Sequence, residues 1–133
     1  KTQCSPYDVE RTGTTVGEGA VSFMLVDDKL IPADQIYGHI SGTSIYCDAA
    51  HIVEPNPEGV SSVLEEAIEQ AGITSSDITG IYWHGTGTKH NDRTESLVSE
   101  LMFGEKSPPC TSTKGSLGHT MGASGAYNIL AAC

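Results

Sequence analysis

Two short stretches of the 133-residue chain hold the residues best suited to chemistry. The first is His84-Gly-Thr-Gly-Thr88, which follows the apolar run Ile81-Tyr-Trp83. A histidine on a glycine-rich turn at the C-terminal end of a strand lies where α/β folds collect reacting groups. The glycines allow backbone to approach a bound molecule. The hydroxyls of Thr86 and Thr88 suit a polar chain such as an amide. A lone histidine serves structure as readily as chemistry, so this pentapeptide does not decide the matter by itself. The second stretch is Thr113-Lys114-Gly-Ser-Leu-Gly-His119. Lys114 ends a predicted strand and His119 opens a predicted helix, whose N-terminus disfavours imidazolium and keeps the ring a neutral donor. Lys114 is the only formal charge near an otherwise uncharged segment. It is paired or functional, because burying it unpaired is costly.

The elements that must position these residues follow from periodicity. Val21–Val26 reads as a largely buried strand and Gln35–Ile45 as a second one. Asp48–Asn56, with His51 and Pro55, reads as a loop. From Pro57 to Gly72, Val60, Leu64, Ala67, Ile68 and Ala71 form one apolar helical stripe, with Pro57 in the first turn and Gly72 just beyond the end. Glu65, Glu66 and Glu69 make its solvated face. Ile78–Trp83 predicts a short strand, Asn91–Phe103 a second amphipathic helix, and Cys110–Thr113 another short strand. Strands alternating with helices predict βα units and a mostly parallel sheet. The nineteen residues from Gly115 to Cys133 carry no formal charge if His119 is neutral. A helix over His119–Cys133 would be apolar all round and therefore buried all round. Gly118, Gly122 and Gly125 would let other backbone come close. The chain has little material to cover such a helix, and it lacks an initiator Met and a cap after Cys133. A piece of a longer protein is the expectation.

Composition narrows the class. Seven basic against seventeen acidic residues give a net charge of −10, which repels phosphate and argues against a nucleic-acid partner. At 38% hydrophobic and 18% charged, the chain is not a disordered acidic tail. No run is long and apolar enough to span a membrane, and the N-terminus has no signal-peptide core. Cys4, Cys47, Cys110 and Cys133 show neither C-x-x-C nor metal-ligand spacing, so free thiols in a reducing, cytoplasmic setting are expected.

Three motifs in order carry a resemblance: Arg11-Thr-Gly-Thr-Thr-Val-Gly-Glu-Gly-Ala20; His84-Gly-Thr-Gly-Thr88 with Asn91, Asp92 and Glu95; and Ser112-Thr-Lys114-Gly-Ser-Leu-Gly-His119-Thr-Met-Gly-Ala-Ser-Gly125. Together they resemble the β-ketoacyl-acyl carrier protein synthases, or ketosynthases, of the thiolase superfamily. The resemblance covers essentially all of residues 1–133. It maps them onto a partial C-terminal thiolase-like domain, truncated at both ends. The implied fold is a layered α/β/α architecture with a mixed, mostly parallel sheet, of which this chain is an incomplete half.

The resemblance implies decarboxylative Claisen condensation in fatty-acid or polyketide-type biosynthesis. By motif position, His84 and His119 would stabilise the oxyanion of the malonyl thioester as it becomes an enolate. Lys114 would position and tune His119, and Thr86 and Thr88 would bind the pantetheine arm. That arm arrives on the acyl carrier protein, the implied partner, so no cofactor of the chain's own is expected. The nucleophilic cysteine would lie in a missing N-terminal half, leaving the fragment inactive alone. Lys89 and Arg93, which follow the histidine loop, are either solvated surface charges or contacts for the acidic carrier through charge complementarity. A homodimer or a ketosynthase-like heterodimer is implied. Some family members carry a structural cation, and Glu95 matches one of its acidic ligands. Tyr82 and Asn128 depart from the Asn and Glu expected at its other positions, so no metal is expected. Two other readings stay open: a non-catalytic partner resembling chain-length factors, and a thiolase-type acyltransferase. Retention of His84, Lys114 and His119 together favours the synthase.

Overall fold

A computed structural model describes residues 3–49 and 55–133; most of the predicted Asp48–Asn56 loop, including His51, lies outside the described residues. Asn56 caps the first long helix, its side-chain oxygen accepting the Glu58 N–H at 3.1 Å. This helix, α1 (Pro57–Gln70), has Pro57 in its first turn, as the sequence predicts. It closes with the Gly72 N–H on the Glu69 carbonyl and the Ile73 N–H on the Ile68 carbonyl, a Schellman pair. Two-residue strands β1 (Ile81–Tyr82) and β2 (Cys110–Thr111) pair in parallel, with Ile81 opposite Cys110 and Tyr82 opposite Thr111. Between them runs α2 (Lys89–Phe103), which packs on α1. The unit is the βαβ crossover that the alternating pattern predicts. Beyond β2 come a one-turn helix, α3 (Lys114–Leu117), and α4 (Ser124–Ala132).

The interior is small and unusually polar. Among the described residues, the buried apolar side chains are Cys4, Trp83 and Val98. Against them stand buried Thr86, Asp92, Thr94, Glu95, Lys114, Thr120 and Ser124. Most of these polar residues belong to the histidine loop and to the segments around it. The centre of this chain is thus a hydrogen-bonded site rather than an oily core.

Three expectations from the sequence need correction. Val21–Val26 and Gln35–Ile45 form no strands; apart from a 3₁₀ turn over Ala33–Gln35 they are irregular, with Met24 and Leu25 exposed. A strand exists only when its backbone groups find a ladder, and no described strand lies beside these runs. Lys114 does not end a strand: β2 stops at Thr111, and Lys114 begins α3. The uncharged segment is not one helix from His119. Gly118 (φ +72°) and Met121 (φ +52°) leave the right-handed helical region, and α4 starts only at Ser124. On α4, Ile129 and Leu130 are about half exposed (51% and 53%) on a face that no described residue covers, as expected where the chain has little material to cover an apolar helix.

The break at Gly118 has a purpose in the fold. His119 forms a parallel bridge with Val16: its N–H donates to the Thr15 carbonyl at 2.7 Å, and its carbonyl accepts the Gly17 N–H at 3.0 Å. Gly118 faces the same strand-like segment so closely that an added Cβ would stand 2.9 Å from the Thr15 oxygen. Only glycine accommodates both the left-handed φ and that approach. The N-terminal glycine-rich motif therefore serves as the rail that holds His119.

Candidate active site

His84 leaves β1 on a loop whose backbone is gripped from α2. Glu95 lies on the inner face of that helix, 5% exposed. Its Oε1 accepts the His84 N–H at 2.7 Å, and its Oε2 accepts the Gly85 N–H at 2.9 Å. Oε2 also takes the Tyr7 hydroxyl and the Asn91 amide, both at 2.8 Å. Asp92, three residues earlier on the same face, accepts the Gly87 N–H at 3.2 Å and the Tyr7 N–H at 2.8 Å. Arg11 lies 3.4 Å from the Asp92 carboxylate and donates to the Thr88 carbonyl at 3.2 Å. Gly87 (φ +75°) could not be replaced, because a Cβ there would press on the Gly13 carbonyl and the Cys4 sulfur. Burial raises the pKa of Glu95, while its four donors pull it back down. Burial and the neighbouring Glu95 drive the Tyr7 phenol far above its ordinary value, so it stays protonated and donating.

Lys114 is 1% exposed and has no carboxylate within ion-pair distance among the described residues. Its ammonium donates to the His84 carbonyl at 2.6 Å and meets His84 Nδ1 at 3.3 Å. The sequence reading had Lys114 positioning His119. Instead its contacts are with His84, and its charge acts on both rings. An ammonium has only donors, so His84 Nδ1 accepts and the ring proton lies on Nε2. His119 reaches the same tautomer differently. Its Nδ1 accepts the Met121 N–H at 3.0 Å and lies 3.0 Å from the Ser124 hydroxyl. The expectation that a helix N-terminus keeps His119 neutral is also corrected: α4 begins five residues later, and withdrawal from water comes first, followed by the Lys114 charge.

The two rings meet edge to face, centroids 5.0 Å apart and planes at 83°. Each offers an Nε2–H. Although His84 keeps part of its surface in solvent, loss of water around the ring pushes its pKa down to about 4, with the Lys114 charge as second cause. Thr86 is buried, and its hydroxyl lies 2.8 Å from that of Thr88. The structure thus brings His84, Lys114 and His119 together, with Thr86 and Thr88 two and four residues beyond His84 on the same loop. Sequence reasoning does not single out Tyr7, whose contacts join residues far apart in the chain, and it has Ser124 only as part of the third motif, with no role of its own.

The cation of some family members can be tested against these groups. Glu95 has both oxygens engaged by four donors. Asn128 on α4 presents its amide to the backbone, with Nδ2 donating to the Trp83 carbonyl at 3.0 Å and the Tyr82 carbonyl at 3.3 Å. The Tyr82 hydroxyl donates to the Ala131 carbonyl at 2.8 Å. These are donors where a cation would need acceptors, so the residues present do not fit one.

Residues 37–133 match the family described as "Beta-ketoacyl synthase, C-terminal domain". The chain belongs to the β-ketoacyl synthase family. Over 133 aligned residues it is 36% identical to the chloroplastic 3-oxoacyl-[acyl-carrier-protein] synthase II of Arabidopsis thaliana, covering 95% of this chain and 24% of that protein. Among solved structures it resembles the ishigamide ketosynthase/chain length factor, with a TM-score of 0.92 and 35% identity over 98% of this chain and 33% of the other. It also resembles the ketosynthase ApeO in complex with its chain length factor ApeC from Xenorhabdus doucetiae, with a TM-score of 0.65 and 42% identity over 69% of this chain and 23% of that one. The chain spans about a third of the length of the curated relatives it matches. The fold is the thiolase-like one of these ketosynthases, seen here in part. Among the described residues, no helix is long and apolar enough to cross a membrane.

The His84 environment makes a pH prediction. A ring with a pKa near 4 is neutral through pH 5–8, so any rate that depends on its neutral form stays flat there and falls only at lower pH. Lys114→Met in the intact synthase removes the second cause and leaves the first. The acid limb of any rate that needs neutral His84 is then expected to move up towards 6.5 without reaching it. A pH–rate profile of both proteins checks this; coincident acid limbs would contradict it. Stability has the same sign: below pH 6.5 the unfolded chain takes a proton that folded His84 refuses, so stability falls with pH over that window.

Proposed function

We propose that the chain is the histidine-bearing part of a 3-oxoacyl-[acyl carrier protein] synthase acting in fatty-acid or polyketide-type biosynthesis. The reading rests on one observation: two imidazoles of the same tautomer, 5.0 Å apart, sharing one lysine's field. In the reaction, malonyl-carrier protein loses carbon dioxide. The electron pair of the broken C–C bond enters an enolate whose charge sits on the thioester oxygen. The Nε2–H groups of His84 and His119 stabilise that oxygen. The enolate carbon then attacks the acyl-enzyme carbonyl, a new C–C bond forms, and the cysteine thiolate leaves with a 3-oxoacyl thioester as product. Lys114 holds His84 and keeps it neutral. Thr86 and Thr88 bind the pantetheine arm. The acyl carrier protein docks near the exposed Lys89 and Arg93 through charge complementarity. The nucleophilic cysteine belongs to sequence beyond this chain: Cys4 is buried with its thiol on the Thr86 carbonyl at 3.3 Å, and Cys47, Cys110 and Cys133 are exposed thiols without the sequence context of the family's nucleophile.

A chain-length-factor-like role is the second reading, favoured by the likeness to solved structures in which a ketosynthase is paired with a chain length factor. A non-catalytic partner has no use for two aligned oxyanion donors. The experiment is to supply the intact protein with acyl- and malonyl-carrier protein and follow the products by mass spectrometry. A 3-oxoacyl-carrier protein is expected, and none from the 133 residues alone. An intact protein that neither releases carbon dioxide nor condenses, in the presence of its own partner subunit, would overturn the proposal.

A further inference from the structure

Asn128 touches the segments that lead into His84 and Lys114, and it lies on the helix that follows His119. Its Oδ1 accepts the Thr113 hydroxyl at 2.8 Å, one residue before Lys114. Its Nδ2 donates to the carbonyls of Tyr82 and Trp83, the two residues before His84. It lies one helical turn beyond Ser124, whose hydroxyl meets His119 Nδ1. The amide's orientation is fixed by chemistry: carbonyl oxygens only accept, so the atom facing them must be the NH₂.

We propose that Asn128 is a positioning residue whose amide ties together the segments bearing His84, Lys114 and His119, where some relatives use a cation. One side chain meets two acceptors with its NH₂ and one donor with its oxygen. No other uncharged side chain of this length offers that set. A carboxylate at this position would face the Tyr82 and Trp83 carbonyls with like charge and would need a cation between them. The amide removes that need, and Tyr82, which also stands at a cation position, spends its hydroxyl on the α4 backbone. The joint between β1 and α4 is therefore closed by covalently attached donors.

The test uses the intact synthase in potassium chloride and in choline chloride of equal ionic strength. The activity arm rests on the proposed condensation; the thermal-unfolding arm does not, so the two can fail separately. The unmodified protein is expected to show the same unfolding midpoint and the same decarboxylation rate in both salts. Asn128→Asp is expected to lower kcat by about ten-fold or more with KM for malonyl-carrier protein little changed, since misplacing the rings costs rate rather than binding. Potassium should restore part of its midpoint and its kcat. Asn128→Ala should lose kcat without responding to potassium. A midpoint of the unmodified protein that rises in potassium over choline would overturn the proposal, as would full kcat in both variants. The unmodified arm stands even if a variant fails to fold.

Discussion

On the proposed function, replacing either His84 or His119 by alanine in the intact protein is expected to slow release of carbon dioxide from malonyl-carrier protein by about 10²–10³, the usual cost of one lost oxyanion donor. The two rings lie within 5.0 Å and each has its Nδ1 engaged on the protein side, so each retains one N–H for the substrate. Both donors serve one oxygen. The double variant should therefore lose less than the product of the single losses, because a reaction centre already missing one donor gains less from the other. Transfer of the acyl group onto the upstream cysteine, measured separately by mass spectrometry, should suffer less than decarboxylation. Unchanged decarboxylation in both single variants would remove the assigned roles.

The contrast between the two histidines explains what was legible in the sequence. Motif spacing brings out His84, Lys114 and His119, and beside the two histidines Gly85, Gly87 and Gly118 mark left-handed turns that few other residues tolerate. The long helices were legible too: α1 carries a stripe, a proline start and a glycine end, and those signals are local. The runs Val21–Val26 and Gln35–Ile45 have β-type composition, yet a strand is a property of two chains of backbone, and no partner lies beside them among the described residues. The uncharged C-terminal segment misled for a related reason. Hydropathy gave it one helix, but the Val16–His119 bridge claims its first residues and moves the helix start to Ser124. Lys114 shows the finer limit. The sequence required a partner for a buried cation but could not say which ring stood nearer.

Glu95→Ala should have the largest effect on stability, because among the described residues its carboxylate accepts the loop N–H groups of both His84 and Gly85. Each buried donor left without a partner costs about 1–3 kcal/mol, and two backbone donors are involved. Against this, burial holds the Glu95 pKa above its ordinary value, so removing the carboxylate also relieves a desolvation cost. The sign is that of a raised acid. Folded Glu95 holds its proton at pH values where the unfolded chain has released it, and the relief grows as pH rises above 4.5. A net loss of about 2–4 kcal/mol near neutral pH follows from the unsatisfied donors outweighing that relief. Urea unfolding of the intact protein checks it: the midpoint should fall, with m unchanged. Glu95→Gln keeps one acceptor oxygen and should fall between the two. Because Glu95 grips the backbone of His84 itself, decarboxylation by folded Glu95→Gln should drop while the acid limb set by the His84 ring stays near its original pH. A variant as stable as the parent would mean that the loop N–H groups find other acceptors, and that His84 is held by Lys114 alone.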